Sequence, residues 1–253
     1  MDSISSNQYN EYLARAKWSK SENLQQWVAR RILSIFIKKT SSDVNRFNCL
    51  EIGSGIGRGG LAAKKLGFRS YTGVEPTTAL REHCQSEFNF NVLDYSLPDL
   101  TGLNSESFDL CFSIHVLEHA TSYADARLWV EEMLRVTKKG GYCLIAAPDI
   151  NDYGSYFWDS DWSHGFPTSP RRVSQMLSDF DVDITYSGSM HLGSVSGLSA
   201  FCAHVIGFFI PTKLIDLLTL KLIKRPLASG VNFALLYGLT FVIVQKRSEK
   251  LFH

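Results

Sequence analysis

Short apolar runs alternate with helix-like segments along most of the 253 residues, and this alternation limits the fold more than any other feature. The runs that predict strands are 48–52, 70–74, 90–93, 108–114, 142–147 and 182–186, with a last apolar pair ending near Gln245. Strands that alternate with helices predict stacked βαβ units around a parallel sheet. We therefore predict an α/β fold with one doubly wound core at 46–187. An N-terminal helical cap at 1–45 precedes it, and an apolar helical insert at 188–230 and a terminal strand segment at 231–253 follow it.

The clearest predicted helix precedes the fifth strand. Five apolar side chains fall on one of its faces at helical spacing: Ala126, Trp129, Val130, Met133 and Leu134. The run KKGG at 138–141 predicts a cationic last turn and a glycine stop for this helix. A later helix is predicted to begin with Ser169 as its N-cap and Pro170 as its first residue. The apolar face of that helix consists of Val173, Met176, Leu177 and Phe180.

The stretch CLEIGSGIGRGG at 49–60 follows the first predicted strand and contains two glycine patterns. From Gly55 it reads G-x-G-x-x-G, a dinucleotide fingerprint, and from Gly53 it reads G-x-G-x-G, which is typical of S-adenosylmethionine (SAM) sites. Such a turn offers free N–H groups to a ligand, although it also serves simply to pack a helix tightly on a strand. Glu51 favours SAM, because a carboxylate attracts its cationic groups and repels a pyrophosphate. Glu75 can accept ribose hydroxyls in either case.

Three further motifs follow the glycine loop in order. They are FNVLDYS at 90–96, SFDLCFSIHVLEHA at 107–120 and LRVTKKGGYCLIAAPD at 134–149. With the loop they cover about 49–186, and the whole resembles the class I SAM-dependent methyltransferases, in particular those that methylate small molecules. The resemblance implies a Rossmann-like, mostly parallel sheet of seven strands in the order 3-2-1-4-5-7-6, with helices on both faces. It also implies S-adenosyl-L-methionine as the cofactor.

The resemblance assigns parts of the cofactor site to positions in this sequence. The methionine end is expected at Glu51, Gly53, Ser54, Gly55 and Gly57. The ribose is expected at Glu75 with Pro76, the adenine between Asp94 and Tyr95, and the sulfonium near Ser113 and His115. Arg58, a bulky charge inside the glycine turn, departs from the family pattern, and the family varies widely at the position of His115.

Methyl transfer from a sulfonium is an in-line displacement, and it needs a base only when the acceptor is a hydroxyl or a protonated amine. Four titratable candidates lie at the carboxyl ends of the fourth and fifth predicted strands or in the loop that follows: His115, Glu118, His119 and His164. His164 is the expected catalytic base, because loops after strands commonly carry function. His115 is the alternative, since it ends a strand at the ligand-binding edge. The pair Glu118 and His119 resembles a family feature that supports the cofactor from beneath.

The segment after the fifth strand is rich in acids and aromatics. The acids are Asp149, Asp152, Asp159 and Asp161. Their spacing matches no calcium-binding loop, so no metal ligands are predicted. The aromatics are Tyr153, Tyr156, Phe157, Trp158 and Trp162. They are suited either to a pocket for a ring or a sugar face, or to ordinary packing beneath a long loop.

Charge and cysteine content restrict the partners and the compartment. A formal charge of +1 and a pI near 7.7 give no reason to expect a nucleic-acid partner. Five scattered cysteines and an N-terminus without a secretory pattern indicate a reducing compartment, the cytoplasm. No Asn/Asp-Pro-Pro-Tyr run follows the fourth strand, which disfavours methylation of bases or glutamine. We predict O-methylation of a small molecule or of a glycan, including a lipid-linked one. The alternatives are a non-catalytic SAM-binding relative and an NAD-dependent oxidoreductase.

The segment 199–225 is more apolar than a connector requires. Pro211, Lys213 and Asp216 interrupt it, so its apolar part is shorter than the roughly 20 residues of a membrane span. Its wide apolar face and its lysines are typical of a helix that lies on an anionic membrane surface. A lid over the substrate pocket or a homodimer contact is the other interpretation.

Overall fold

The computed structural model of the chain describes residues 24–191, residue 205 and residues 238–248. Seven strands form one sheet in the order β3-β2-β1-β4-β5-β7-β6. They are β1 (Asn48–Ile52), β2 (Ser70–Val74), β3 (Asn91–Leu93), β4 (Phe108–Ile114), β5 (Thr137–Pro148), β6 (Val182–Met190) and β7 (Leu239–Lys246). The first five strands pair in parallel, whereas β7 is antiparallel to both β5 and β6. This order and pairing confirm the predicted α/β fold.

Helices cover both faces of the sheet. They are α1 (Leu24–Thr40), α2 (Arg58–Leu66), α3 (Thr78–Phe88), α4 (Tyr123–Val136), α5 (Ile150–Tyr153), α6 (Tyr156–Ser160) and α7 (Pro170–Leu177). Successive residues of a strand point to opposite faces. Accordingly, Leu50 of β1 belongs to the core beneath α4 and α7, whereas Cys49 belongs to the core beneath α1 and α2. Burial on both faces explains why the central strands are continuous apolar runs.

Two helices have the apolar faces that the sequence predicts, and one of them also has the predicted N-cap. In α4, Ala126, Val130, Met133 and Leu134 are buried, and Trp129 packs against the same core. The N-cap of α7 is Ser169, whose hydroxyl accepts from the N–H of Arg172, and Pro170 is its first residue. In both helices, α4 and α7, the buried residues are therefore those that the sequence spacing places on one side.

The predicted end of α4 is wrong. The helix stops at Val136, and the run 138–141 belongs to β5, which begins five residues earlier than predicted. Between the pairs Phe108 with Thr137 and Leu110 with Tyr142, β5 contains extra residues that form a bulge, where Gly140 has a φ of +75°. The glycine pair thus turns a strand rather than ends a helix, because a bulge also requires a residue that tolerates positive φ.

Other boundaries differ by smaller amounts. β3 begins at Asn91 instead of at residue 90, and β6 continues to Met190 instead of ending at residue 186. Of the last predicted apolar pair, β7 is the part inside the described residues. The predicted insert is outside them, apart from residues 188–191 and residue 205. None of the helices that the structure describes has both the length and the apolar character needed to cross a membrane.

Candidate functional site

The glycine loop between β1 and α2 lies at the carboxyl edge of the sheet, where β1 and β4 are neighbours. Gly53 has a φ of +71°, and a Cβ there would come within 2.6 Å of Cγ2 of Val116, which follows β4. Gly55 has a φ of +51°, but no described heavy atom lies within 4 Å of the place its Cβ would take. Gly53 is therefore packed against the chain after β4, whereas Gly55 borders open space into which a ligand can come close to the backbone.

Glu75 joins the glycine loop to the end of β2. Its buried carboxylate accepts the N–H groups of Gly55 and Thr77, each at 3.0 Å. A carboxylate has about four acceptor positions, so capacity remains for hydroxyl donors of a ligand. Ser54 is also buried, and its hydroxyl has no hydrogen-bond partner among the described residues. Glu75 and Ser54 thus offer acceptor positions and a hydroxyl for further hydrogen bonds at the loop that contains Gly55.

Glu51 lies beneath the loop instead of facing that space. Its Oε2 accepts from the hydroxyl of Tyr71 at 2.5 Å, and the N–H of Gly60 in the first turn of α2 also donates to it. Burial raises the pKa of Glu51 to about 8, against the opposing effect of the Tyr71 hydrogen bond. The carboxyl group is therefore largely protonated at neutral pH, and the fixed charge assumed from the sequence is absent there. A cation bound nearby would lower this pKa again.

Arg81 of α3 connects the carboxyl ends of β2 and β3, and it was not singled out from the sequence. Its Nη1 donates to the carbonyl oxygens of Glu75 and Pro76, and its Nη2 donates to Asp94 at 2.8 Å. The side chain of Asp94 is otherwise open to solvent, 71% exposed. Tyr95, in contrast, packs against the core beneath α4. Of the two residues expected at the adenine, Asp94 is thus the one at the surface of the edge.

The end of β4 presents a histidine next to the glycine loop. Ser113 is buried, and His115, which follows the strand, has a φ of +58° and is about half exposed. Its Nδ1 is 3.2 Å from Oε1 of Glu118, which is completely buried. Since a carboxylate accepts, Nδ1 carries a proton and Nε2 of the neutral ring keeps its lone pair. Non-glycine residues adopt this backbone conformation uncommonly, and histidine is among those that do so more often than most.

The expected base His164 lies on the loop after α6. Its Nδ1 donates to the carbonyl oxygen of Phe157 at 2.6 Å, and its ring centroid is 5.1 Å from that of His119. The N–H groups of Gly165 and Phe166 donate to the carbonyl oxygen of Glu118. The loop is thus attached to the 3-10 helix Leu117–His119, which begins two residues after His115.

Three of the four acids of this segment bind different partners. Asp149 accepts from Asn151 and Ser189, Asp152 pairs with His191 at 2.8 Å, and Asp161 accepts from Ser163 at 2.6 Å. Although burial opposes it, the hydrogen bonds from Ser163 hold the pKa of Asp161 below its ordinary value, with help from nearby histidines. The acids that surround the loop therefore do not converge on one point. Among the described residues, metal-ligating atoms converge instead at Glu118, His119 and His164.

Comparisons with known proteins agree with this architecture. A family model described as a methyltransferase domain matches residues 50–145. A search of curated proteins found no match. The described fold resembles the complex between the Haloferax volcanii Trm112 methyltransferase activator and a candidate methyltransferase, with a TM-score of 0.65 and 14% identity over 95% of this chain and 98% of that one.

Two other solved structures show the same fold. A SAM-dependent methyltransferase from Archaeoglobus fulgidus has a TM-score of 0.55 and 18% identity over 86% of this chain and 94% of that one. The [4+2]-cyclase SpnF has a TM-score of 0.56 and 15% identity over 86% of this chain and 80% of that one. At these identities the likeness concerns the fold, so the function has to be inferred from the family match and from the site.

Proposed function

The chain is a class I SAM-dependent methyltransferase with S-adenosyl-L-methionine as its cofactor, and from this premise we propose that it methylates an oxygen of a small-molecule or glycan acceptor. The cofactor supplies an electrophilic methyl group on a sulfonium. The protein has to hold cofactor and acceptor in line, exclude water and remove the acceptor proton.

The cofactor-binding part of this proposal uses the residues at the carboxyl ends of β1, β2 and β3. We assign the methionine end to the loop 53–57 and its buried Ser54, with Glu51 beneath the loop. Glu75 and Pro76 would bind the ribose, because the carboxylate keeps acceptor capacity after binding Gly55 and Thr77. Asp94 and Tyr95 would flank the adenine, with Arg81 holding Asp94 at the edge. Ser113 would lie near the sulfonium.

The pair His115 and Glu118 is the observation that carries the choice of an oxygen acceptor. The ring of His115 is half exposed and carries the lone pair on Nε2. The residue after His115, Val116, contacts the glycine loop at Gly53. A hydroxyl at this edge can give its proton to Nε2 while its oxygen forms the new bond to carbon and the carbon–sulfur bond breaks. His164, the base expected from the sequence, donates its Nδ1 proton to the carbonyl oxygen of Phe157. His115 has the orienting carboxylate and the neighbour Val116 that contacts Gly53, so we assign the proton transfer to His115.

The acceptor class is supported by the aromatic side chains of α6 and the loop after it. Trp158 is 50% exposed and Trp162 is 74% exposed, which is unusual for large apolar residues. α6 is fixed to the site because Phe157 contacts the ring of His164. Exposed aromatic faces beside a reaction centre suit the apolar face of a sugar or of a ring.

The proposal is tested by incubating the protein with SAM that carries a deuterated methyl group and with a fractionated cell extract. Mass spectrometry should find the label in the small-molecule or glycan fraction. His115→Gln is expected to reduce the rate by roughly 10²–10⁴-fold, the usual contribution of a general base. His83→Gln is the matched control, since His83 lies on α3 and packs on Phe88. Label that appears only in protein or RNA would contradict the proposed acceptor class.

We also propose that residues 199–225 contact either the acceptor as a lid, a second copy of the chain, or an anionic membrane surface. The support is the apolar and cationic composition of the segment. Co-sedimentation with anionic liposomes tests the membrane contact, and it is contradicted if all the protein stays in the supernatant. A reducing compartment, such as the cytoplasm, is supported by the four cysteines of the described part, which are buried free thiols.

A further inference from the structure

Three potential metal ligands come together next to His115, one of them being its partner Glu118. They are Glu118, His119 and His164, whose ligand atoms all lie within 4.8 Å of one another. Two of them are consecutive in the 3-10 helix after β4, and the third is on the loop after α6. Two imidazoles and one carboxylate form a common protein ligand set for divalent first-row metals such as Zn²⁺.

The hydrogen bonds of the two histidines direct the same ring atom of each toward metal binding. Nδ1 of His164 donates to the carbonyl oxygen of Phe157, which can only accept. The hydroxyl of Ser163 donates to Asp161 at 2.6 Å, so it accepts from Nδ1 of His119 at 2.9 Å. In both neutral rings the proton is therefore on Nδ1, and the lone pair is on Nε2. Histidine ligands of metals are commonly oriented by such a hydrogen bond at the other ring nitrogen.

Glu118 supplies an independent reason to expect a cation. Its side chain is completely buried, and its Oε1 accepts from His115. Its Oε2 has no hydrogen-bond partner among the described residues. A buried carboxylate oxygen without a donor is unfavourable unless a positive charge or a proton compensates it. A bound cation would satisfy this oxygen directly.

We propose that Glu118, His119 and His164 bind a divalent transition-metal cation, for which Zn²⁺ has the best-matched ligand preference. Three protein ligands leave at least one coordination position for water or another oxygen ligand. The cation would fasten the loop 161–166 to the end of β4, and Glu118 would then serve both the metal and His115. The site does not rest on the proposed acceptor, because none of its three ligands depends on which molecule is methylated.

The test uses the full-length protein without a polyhistidine tag, after treatment with a chelator. Titration with Zn²⁺, and with Co²⁺ for its visible absorption, should show saturable uptake of one ion per chain. His119→Gln and His164→Gln should each weaken the apparent affinity by about 100-fold or more, and Ser163→Ala by roughly 10–100-fold. The matched controls are His83→Gln on α3 and Asp159→Asn on α6, which should leave the affinity unchanged.

Wild-type protein gives a second measurement that needs no variant. Diethyl pyrocarbonate modifies histidine, and bound Zn²⁺ should protect His119 and His164 but not His83. Absence of saturable metal uptake, or equal affinity in the His164→Gln protein, would overturn the metal site. Binding of S-adenosylhomocysteine and transfer of labelled methyl, measured in the same samples, report on the proposed function separately. Either inference can therefore fail while the other stands.

Discussion

Replacing Glu51 by Gln should remove a pH-dependent loss of stability from the protein. The pKa of this buried carboxyl is raised from 4.5 to about 8 in the folded state, first by desolvation. Between these two values the unfolded chain has released the proton while the folded chain keeps it. The folded state is therefore destabilised progressively as the pH rises through this interval, and the loss is complete above about pH 8.

The size of the effect follows from the width of that interval. Each pH unit inside it costs about 1.4 kcal/mol, so the free energy of unfolding should fall by about 3 kcal/mol between about pH 5.5 and about pH 7.5 through Glu51 alone. Glutamine has the same shape and does not titrate. The difference in stability between the variant and the wild type should therefore shift by about 3 kcal/mol in favour of the variant over this range, whatever the constant cost of the substitution.

Urea unfolding followed by tryptophan fluorescence, at several pH values in buffers of equal ionic strength, measures this difference. Tyr71→Phe is a second variant for the same measurement. Its hydroxyl donates to Glu51 and lowers the pKa, so its removal should extend the pH-dependent loss to higher pH. Parallel stability curves for wild type and Glu51→Gln between about pH 5.5 and about pH 7.5 would refute the raised pKa.

Three further predictions concern the same edge of the sheet. Gly53→Ala should cost roughly 2–4 kcal/mol of stability because it combines positive φ with a clash against Val116, whereas Gly55→Ala should cost only about 1–2 kcal/mol; urea unfolding compares them, and equal losses would contradict the packing of Gly53. Arg81→Gln should weaken S-adenosylhomocysteine binding by roughly 10-fold in calorimetry, since Asp94 and Pro76 lose their shared donor, while Arg127→Gln on α4 should have no effect. The hydrogen bond to Asp152 raises the pKa of His191 above 6.5, so this pair stabilises the fold fully below pH 6.5, and the stabilisation is lost as the pH rises through the raised pKa. The destabilisation caused by Asp152→Asn should accordingly shrink as the pH rises, and a constant difference would contradict the pairing.

The sequence by itself determined the architecture and the location of the glycine loop after β1. The limits of β1, β2 and β4 are the predicted ones. β1 and β4 are short, mostly buried runs, whereas β2 is buried only in its second half. The glycine pattern at 53–57 is recognisable because positive φ at Gly53, Gly55 and Gly57 is a local requirement. Requirements of single residues, such as positive φ, and the two-residue period of a strand can both be recognised in the sequence alone.

Tertiary structure decided the features that depend on contacts between distant residues. The run 138–141 has the composition of a helix end, yet pairing with β4 makes it a bulge in β5. Glu51 is a carboxylate in the sequence, but burial beneath α2 raises its pKa and keeps it protonated near neutral pH, despite the opposing hydrogen bond from Tyr71.

The histidines show most clearly that contacts between distant residues cannot be predicted from the sequence. His164 is the base predicted from the sequence, and only the structure shows that it lies beside His119 and Glu118, the latter 46 residues earlier in the chain. His115 instead has the orienting carboxylate and the position next to Gly53. Which atoms meet, and with what charge, depends on burial and on the register of neighbouring strands, and neither is a property of any single segment.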